Sequence, residues 1–162
     1  MGGYRTVAAT AAVILLSVSA VAAQTCLNDR ERAAVQVRLL QTELMVATLS
    51  CRGGDYTHRY NAFVSKFTPE LNEHGKSLKT YFSREHGKAA NARLDAFMTR
   101  VANQFSLRSM NEPDYCDLAG AKLNDARDLR PGELVKFSLS SAAAPVDVSG
   151  CRLSEPAVTA KR

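Results

Sequence analysis

Apolar residues recur at helical spacing along most of this chain, and the first such stretch is apolar on several sides. Over residues 29–51 the apolar positions are Ala33, Val35, Val37, Leu39, Leu40, Leu44, Val46, Ala47 and Leu49. A helix that is apolar on most of its sides is usually surrounded by neighbouring elements. The pattern therefore predicts a long central helix, with Asn28 or Asp29 as its N-cap and Gly53-Gly54 as its end.

The next segment carries a single apolar stripe, which is typical of an amphipathic helix. Its apolar positions, three or four residues apart, are Tyr56, Tyr60, Phe63, Phe67, Leu71, His74, Leu78 and Tyr81/Phe82. Asp55 precedes the stripe as a predicted cap. Pro69 interrupts the segment without changing its phase, so two alternatives remain: one kinked helix, or two helices that meet at Phe67-Thr68. The unbroken phase favours the kinked helix.

The rest of the chain continues the helical pattern and then loses it. Residues 88–110 and 113–130 repeat the helical spacing, and residues 133–139 are long enough for one more short helix. Residues 141–162 have no period and predict an irregular tail that contains Cys151. No alternating apolar run indicates a sheet. We therefore predict an all-α fold, a compact bundle of four to six helices around the central helix, forming one domain over residues 24–140.

The beginning of the chain has the pattern of an export signal. Arg5 precedes an almost entirely apolar stretch from Val7 to Val18, and Val21-Ala22-Ala23 supplies small residues before Gln24. This pattern predicts a secretory signal peptide over residues 1–23. The apolar stretch is shorter than the roughly 20 residues that a membrane-spanning helix needs. We expect a periplasmic or secreted protein whose mature chain has no transmembrane span.

All four cysteines follow this segment: Cys26, Cys51, Cys116 and Cys151. Export favours disulfides, which persist in oxidising compartments. Cys26 and Cys51 bracket the predicted central helix and would lie roughly 35 Å apart. A disulfide needs Cα atoms within about 7 Å, so these two cannot pair. An up-down-up-down bundle favours Cys51–Cys116 with Cys26–Cys151, whereas two helices separated at Pro69 would favour Cys26–Cys116 with Cys51–Cys151.

The charge of the chain bears on its partners. There are 21 Lys and Arg residues against 16 Asp and Glu residues, a formal net charge of +5. Outside the cytoplasm a basic surface suits an anionic envelope component, or an envelope protein, better than nucleic acid. The candidate binding face consists of Arg84, Lys88, Arg93, Tyr56, Tyr60 and Tyr81, with Lys66, Lys76 and Lys79 extending its positive charge. The simpler interpretation is core packing for the tyrosines and solvation for the charges.

Catalytic and metal-binding signatures are missing from the sequence. It contains no Gly-x-Ser-x-Gly, His-Glu-x-x-His or phosphate-binding glycine loop. His58, His74 and His86 have no metal-binding spacing, although Glu70 and His74 stand four residues apart on one helix face. Several carboxylates could pair in space: Glu43, Glu70, Glu73, Asp95, Asp114 and Asp117. We predict no catalytic residue, metal ligand or cofactor, and keep an envelope hydrolase that uses paired carboxylates as the alternative.

Several short segments resemble a family of small exported proteins of alphaproteobacterial type, for which no activity is known. They are Glu43–Cys51, Tyr60–Val64, Phe67–Leu71, Ser106–Ser109 and Tyr115-Cys116. The resemblance covers roughly residues 27–120; it implies an exported single domain and transfers no site residue. A looser likeness in size, helicity and disulfide use links the chain to small periplasmic stress chaperones. The function expected is a non-enzymatic periplasmic binding or accessory protein of the cell envelope, with the hydrolase or a stress chaperone as alternatives.

Overall fold

The computed structural model describes residues 27–141. These residues form five α-helices: α1 (Asp29–Ser50), α2 (Tyr56–His86), α3 (Ala90–Asn111), α4 (Tyr115–Asp128) and α5 (Leu134–Ser141), with a 3-10 turn at Gly87–Ala89. No strand occurs within residues 27–141, so the predicted all-α bundle is confirmed. The predicted signal peptide, Cys26, Cys151 and the tail beyond Ser141 lie outside the described residues.

Helix α1 is the centre of the bundle, as its wide apolar surface predicts. It contacts each of the other four helices. Val35 and Leu39 belong to a core cluster with Phe97 of α3. On another side, Leu40 and Leu44 join a second cluster that includes aromatic residues of α2 and an apolar residue of α5. A helix that is covered on most of its sides needs apolar residues on most of them, which explains why this stretch has no single stripe.

The two ends of α1 differ in how well the sequence predicts them. Asn28 caps the start, because its Oδ1 accepts a 2.9 Å hydrogen bond from the Glu31 N–H and Glu31 Oε2 accepts one of 3.0 Å from the Asn28 N–H. The predicted glycine end is wrong. The helix ends at Ser50, and Cys51 already has extended backbone angles, φ −92° and ψ 139°. Gly53, at φ 80°, lies in the loop that leads into α2.

Helix α2 is continuous over 31 residues with Pro69 inside it, so the single-helix alternative is confirmed. Pro69 has no N–H to donate to the Ser65 carbonyl, but both residues are exposed and water can satisfy that carbonyl. Asp55 occupies the N-cap position with φ 50° and ψ 32°, and its side chain makes no capping hydrogen bond. Its predicted capping role is therefore wrong. Its carboxylate instead lies 3.5 Å from His58 Nδ1.

A disulfide between Cys51 and Cys116 joins the end of α1 to the first turn of α4, with the two Cα atoms 5.6 Å apart. This confirms that half of the favoured pairing and is incompatible with the rival pairing. The bridge spans 65 residues. Closing a loop of that size contributes about 4 kcal/mol in the chain-entropy account. The Tyr56 hydroxyl of α2 donates a 2.9 Å hydrogen bond to the Cys116 carbonyl, so three helices meet at this end. No helix in the described part of the chain is long and apolar enough to cross a membrane.

Candidate functional site

An open cavity of about 440 Å³ lies where α1, α2 and α3 meet. We call it the Arg38 cavity; its lining residues are Arg38 of α1, Leu71, Asn72, Gly75, Lys76 and Lys79 of α2, and Leu94, Asp95 and Met98 of α3. The lysines and Asp95 are exposed, whereas Leu71 is buried and Leu94 and Met98 are half-buried. The lining therefore combines exposed charged side chains with apolar side chains that are buried or half-buried.

Helical spacing brings the α2 residues together at this opening. Leu71, Gly75 and Lys79 follow one another at intervals of four, so they share one face of the helix. Gly75 matters because it has no side chain. A Cβ at this position would lie 3.2 Å from a guanidinium nitrogen of Arg38, which is closer than most Cβ contacts. Gly75 thus leaves room for the Arg38 side chain to cross from α1 to the surface of α2.

Arg38 is a half-buried cation without a carboxylate partner. Its guanidinium donates a 2.8 Å hydrogen bond to Gln41 Oε1 on its own helix. Burial lowers the pKa of the guanidinium, and the nearby Tyr60 phenol opposes that shift in part. Among residues 27–141, no carboxylate forms an ion pair with Arg38, Lys76 or Lys79. The positive charge at this opening is therefore not neutralised by ion pairs within the described fold.

Glu43 shows the opposite arrangement. Its side chain is 3% exposed, and its two carboxylate oxygens lie 2.7 and 2.8 Å from Lys122 Nζ of α4. Arg108 of α3 approaches one of them at 3.8 Å and is held in turn by Glu112 at 2.7 and 2.8 Å. The hydrogen bond to Arg108 lowers the pKa of Glu112. Burial, assisted by Glu43, raises the pKa of Tyr115, whose hydroxyl donates to the Glu43 carbonyl at 3.1 Å. This cluster ties α1, α3 and α4 together.

Glu31, the second buried carboxylate of α1, is also held by ion pairing. Arg84 of α2 donates to both of its oxygens, at 3.0 Å for the Nη2–Oε2 pair. Arg84 also bonds Glu85 at 3.1 Å, and its guanidinium lies over the Tyr81 ring, 5.6 Å from the ring centre. Arg84 therefore fastens the end of α2 to the start of α1.

The six residues of the predicted binding face do not share one surface. Tyr81 is only 3% exposed and packs against Phe82, so it offers no area to a partner. Tyr56 begins α2, roughly 37 Å from Tyr81 at about 1.5 Å per residue. Periodicity detects the tyrosines because they lie on the buried stripe, and for that reason they do not form a groove. The remaining members belong to separate settings: Tyr60 is half-buried near Arg38, Arg84 pairs with Glu31, and Lys88 and Arg93 are exposed.

The histidines also lie apart from one another. His58 and His86 are exposed, whereas His74 is half-buried, and its buried Nδ1 has no hydrogen-bond partner. Burial lowers the pKa of His74, with Glu73 and Glu70 opposing the shift. Glu70 Oε1 accepts a 3.0 Å hydrogen bond from the Gly132 N–H. Within residues 27–141, no group of three or more His, Cys, Asp or Glu side chains is arranged to hold a metal ion.

The carboxylates considered for a hydrolase occupy different settings. Glu43 is in the buried cluster, Glu70 accepts from Gly132, and Glu73 pairs with Arg30 at 2.7 Å, which lowers the pKa of Glu73. Asp95 lines the Arg38 cavity, while Asp114 and Asp117 are exposed at the start of α4. Three of the six are thus engaged by donors from other parts of the fold.

A second opening, of about 150 Å³, lies between α2 and α4. Its cations are used to join the two helices. Arg59 donates to the Gly120 carbonyl at 3.1 Å, and Lys66 donates to the Arg127 carbonyl at 2.6 Å. This opening is therefore a small gap in the packing between α2 and α4, and its Arg59 and Lys66 already have partners. The Arg38 cavity, whose cations lack such contacts, is the better candidate site.

Sequence reasoning found Lys76 and Lys79 but missed Arg38. The signal that could have revealed it is its position, since it is a single cation within the apolar run from Val35 to Leu40. The chain matches no family model, no curated protein and no solved structure. The candidate site therefore rests on its geometry and charge.

Proposed function

We propose that this chain is an exported, non-enzymatic binding or accessory protein of the cell envelope, and that it takes an anionic envelope component at the Arg38 cavity. One observation carries the proposal: Arg38, Lys76 and Lys79 line one opening, and Asp95 is the one carboxylate in that lining. An excess of cations around an opening attracts anionic groups and raises their local concentration.

The use of the buried carboxylates favours binding over catalysis. A general acid or base must reach the reacting group of a substrate. Glu31 and Glu43 are buried and held by cations of neighbouring helices, so their charges stabilise the fold. The hydrolase alternative therefore depends on exposed carboxylates such as Asp95.

Two features support export. Residues 1–23 have the pattern of a cleavable signal, and the Cys51–Cys116 disulfide is of the kind that persists in oxidising compartments. Expression in a Gram-negative host, followed by mass spectrometry of each cell fraction, tests this part of the proposal. We expect a chain that begins at Gln24 in the periplasm or the medium. A chain that retains Met1 and stays in the cytosol would contradict it.

Binding is tested with the mature chain, purified acidic envelope polymers and vesicles that contain anionic lipid. We expect binding that weakens steeply as salt rises, because salt screens exposed charges. Replacing both Lys76 and Lys79 with Glu should weaken it further. The control is Lys136→Glu, an equal type of change on α5 away from the cavity. Arg84 is avoided, since its loss would leave the buried Glu31 without its partner.

The same preparations distinguish the alternative. If the polymers are cut, and Asp95→Asn abolishes the products, the protein is a hydrolase. If binding does not depend on salt, or if the lysine variant binds as the wild type does, the anionic partner does not use this cavity.

A further inference from the structure

We propose that the Arg38 cavity binds a small amphiphilic anion, a molecule with a single carboxylate or phosphate headgroup and a short unbranched apolar tail. This inference rests on the proposed function and names the ligand class of the same site. It is carried by the combination of a half-buried guanidinium and apolar side chains in the lining of one cavity.

Arg38 provides the headgroup contact. A guanidinium has five N–H donors in a planar fork that matches a carboxylate or phosphate. The Arg38 fork makes one side-chain hydrogen bond, to Gln41, and no ion pair with a described carboxylate. Because Arg38 is half-buried, an anion bound to it is screened by water less than one bound to an exposed lysine. Lys76 and Lys79 add positive charge to the same opening.

Asp95 limits the charge of the headgroup. It lies in the same lining as three cations, so it reduces the net charge there to about two positive units. The balance therefore fits an anion with one or two negative charges.

The apolar lining accommodates the tail. Leu71, Leu94 and Met98 line the cavity, and each is buried or half-buried. A purely polar anion such as free phosphate would leave these side chains in contact with water. The thioether of a methionine adapts to irregular apolar groups, which suits a flexible tail. The cavity volume, about 440 Å³, falls within the range of about 300–1,000 Å³ that is usual for small-molecule sites.

Isothermal titration calorimetry of the mature chain tests the inference with two series of probes. The first compares acetate with hexanoate, and the second compares inorganic phosphate with hexyl phosphate. Each methylene that is fully buried strengthens binding about fourfold. We therefore expect hexanoate to bind at least about tenfold more tightly than acetate, and hexyl phosphate at least about tenfold more tightly than inorganic phosphate. Comparison of hexanoate with hexyl phosphate shows whether a carboxylate or a phosphate is the better headgroup.

Three variants locate the binding. Arg38→Gln should weaken hexanoate by about tenfold or more, because a charge-assisted contact is lost. Arg32→Gln, on an exposed position of the same helix, should leave the affinity unchanged. Met98→Gln keeps a similar volume and should reduce the gain from the tail without changing acetate binding. Circular dichroism and thermal melts establish that each variant is folded.

Three outcomes would overturn the inference. In the first, acetate and hexanoate bind equally while both depend on salt and on Arg38, which leaves the proposed anion-binding function standing. In the second, hexanoate binds but Arg38→Gln has no effect. In the third, none of the probes binds; the polymer and vesicle measurements then decide the proposed function independently.

Discussion

Arg38 and Glu43 lie five residues apart on the central helix, but among the described residues only Glu43 has oppositely charged side chains of other helices within ion-pair distance. Glu43 is buried, with Lys122 at 2.7 Å and Arg108 at 3.8 Å. Arg38 is half-buried beside an open cavity and has Gln41 as its hydrogen-bond partner. An unpaired charge inside a protein is destabilising. The comparison therefore separates a charge that the fold neutralises from one that it leaves without a carboxylate partner.

The difference follows from what neighbouring helices bring to each position. At Glu43, α3 and α4 each provide a cation. At Arg38, α2 provides Gly75 and two lysines, and α3 provides Asp95, with which Arg38 makes no ion pair. We therefore expect that removing a cation near Glu43 lowers the free energy of unfolding, whereas removing the Arg38 charge leaves it nearly unchanged.

The largest effect is expected for Lys122→Met. The substitution leaves the buried Glu43 carboxylate with Arg108, 3.8 Å away and without a hydrogen bond to it, as its one described cation, which should lower the free energy of unfolding by about 3–5 kcal/mol. Urea denaturation under oxidising conditions measures it. The double variant Glu43→Leu/Lys122→Met should recover much of the loss, because no buried charge remains unpaired. A single variant as stable as the wild type would mean that the Glu43 ion pair does not hold the helices together.

A loss nearly as large is expected for Leu44→Ala, the neighbour of Glu43 on α1. Leu44 is completely buried, and its truncation should leave a cavity and cost about 2–5 kcal/mol. Met45→Ala and His86→Ala are the controls, since both residues are exposed and should change the stability by less than about 0.5 kcal/mol. Thermal melts provide the ranking. If His86→Ala were the most damaging of the three, the central role of α1 would be wrong.

A smaller, pH-dependent effect is expected at His74. Burial lowers its pKa in the folded state below the ordinary value of 6.5. The unfolded chain therefore binds this proton first, and the contribution of His74 to stability falls as the pH drops below 6.5 towards the folded-state pKa. His74→Gln should lose less stability between pH 7.5 and 5.5 than the wild type does. Identical slopes for the two chains would contradict the prediction.

The smallest effect on stability is expected for Arg38→Met. The guanidinium has no carboxylate partner to lose, and its methylene groups are replaced by similar apolar volume. The free energy of unfolding should change by less than about 0.5 kcal/mol in urea denaturation. Lys122→Met is the matched comparison, since it also replaces a cation with methionine. A loss of several kcal/mol at Arg38 would show that its charge stabilises the fold, and the distinction between the two sites would disappear.

Much of the fold could be predicted from the sequence, because helical periodicity is a local property. The central helix follows from the spacing of apolar residues, whereas for α2 and for the cysteines the same spacing favoured one of two alternatives, the continuous helix and the Cys51–Cys116 pair, and the structure confirms both. The predicted ends were less accurate. The Cys51 backbone is extended and leaves the helix before Gly53.

The candidate site was only partly visible in the sequence. Lys76 and Lys79 stand out as charges on an amphipathic helix, and the tyrosines stand out by their spacing. The structure separates these groups, since Tyr81 is buried while Lys76 and Lys79 line a cavity. Periodicity assigns residues to the faces of one helix, but it does not reveal which residue of a distant helix lies opposite.

The sequence by itself therefore determined the all-α class and the central position of α1, and it excluded a Cys26–Cys51 pair. Each of these depends on spacing within the chain and on the rise of a helix per residue. Only the tertiary structure decided which buried charges are neutralised. Glu43 is 79 residues from Lys122 in sequence, and Arg38 faces Gly75 rather than a carboxylate. Electrostatic pairing acts over a few ångströms in space, so the packing of the helices decides it.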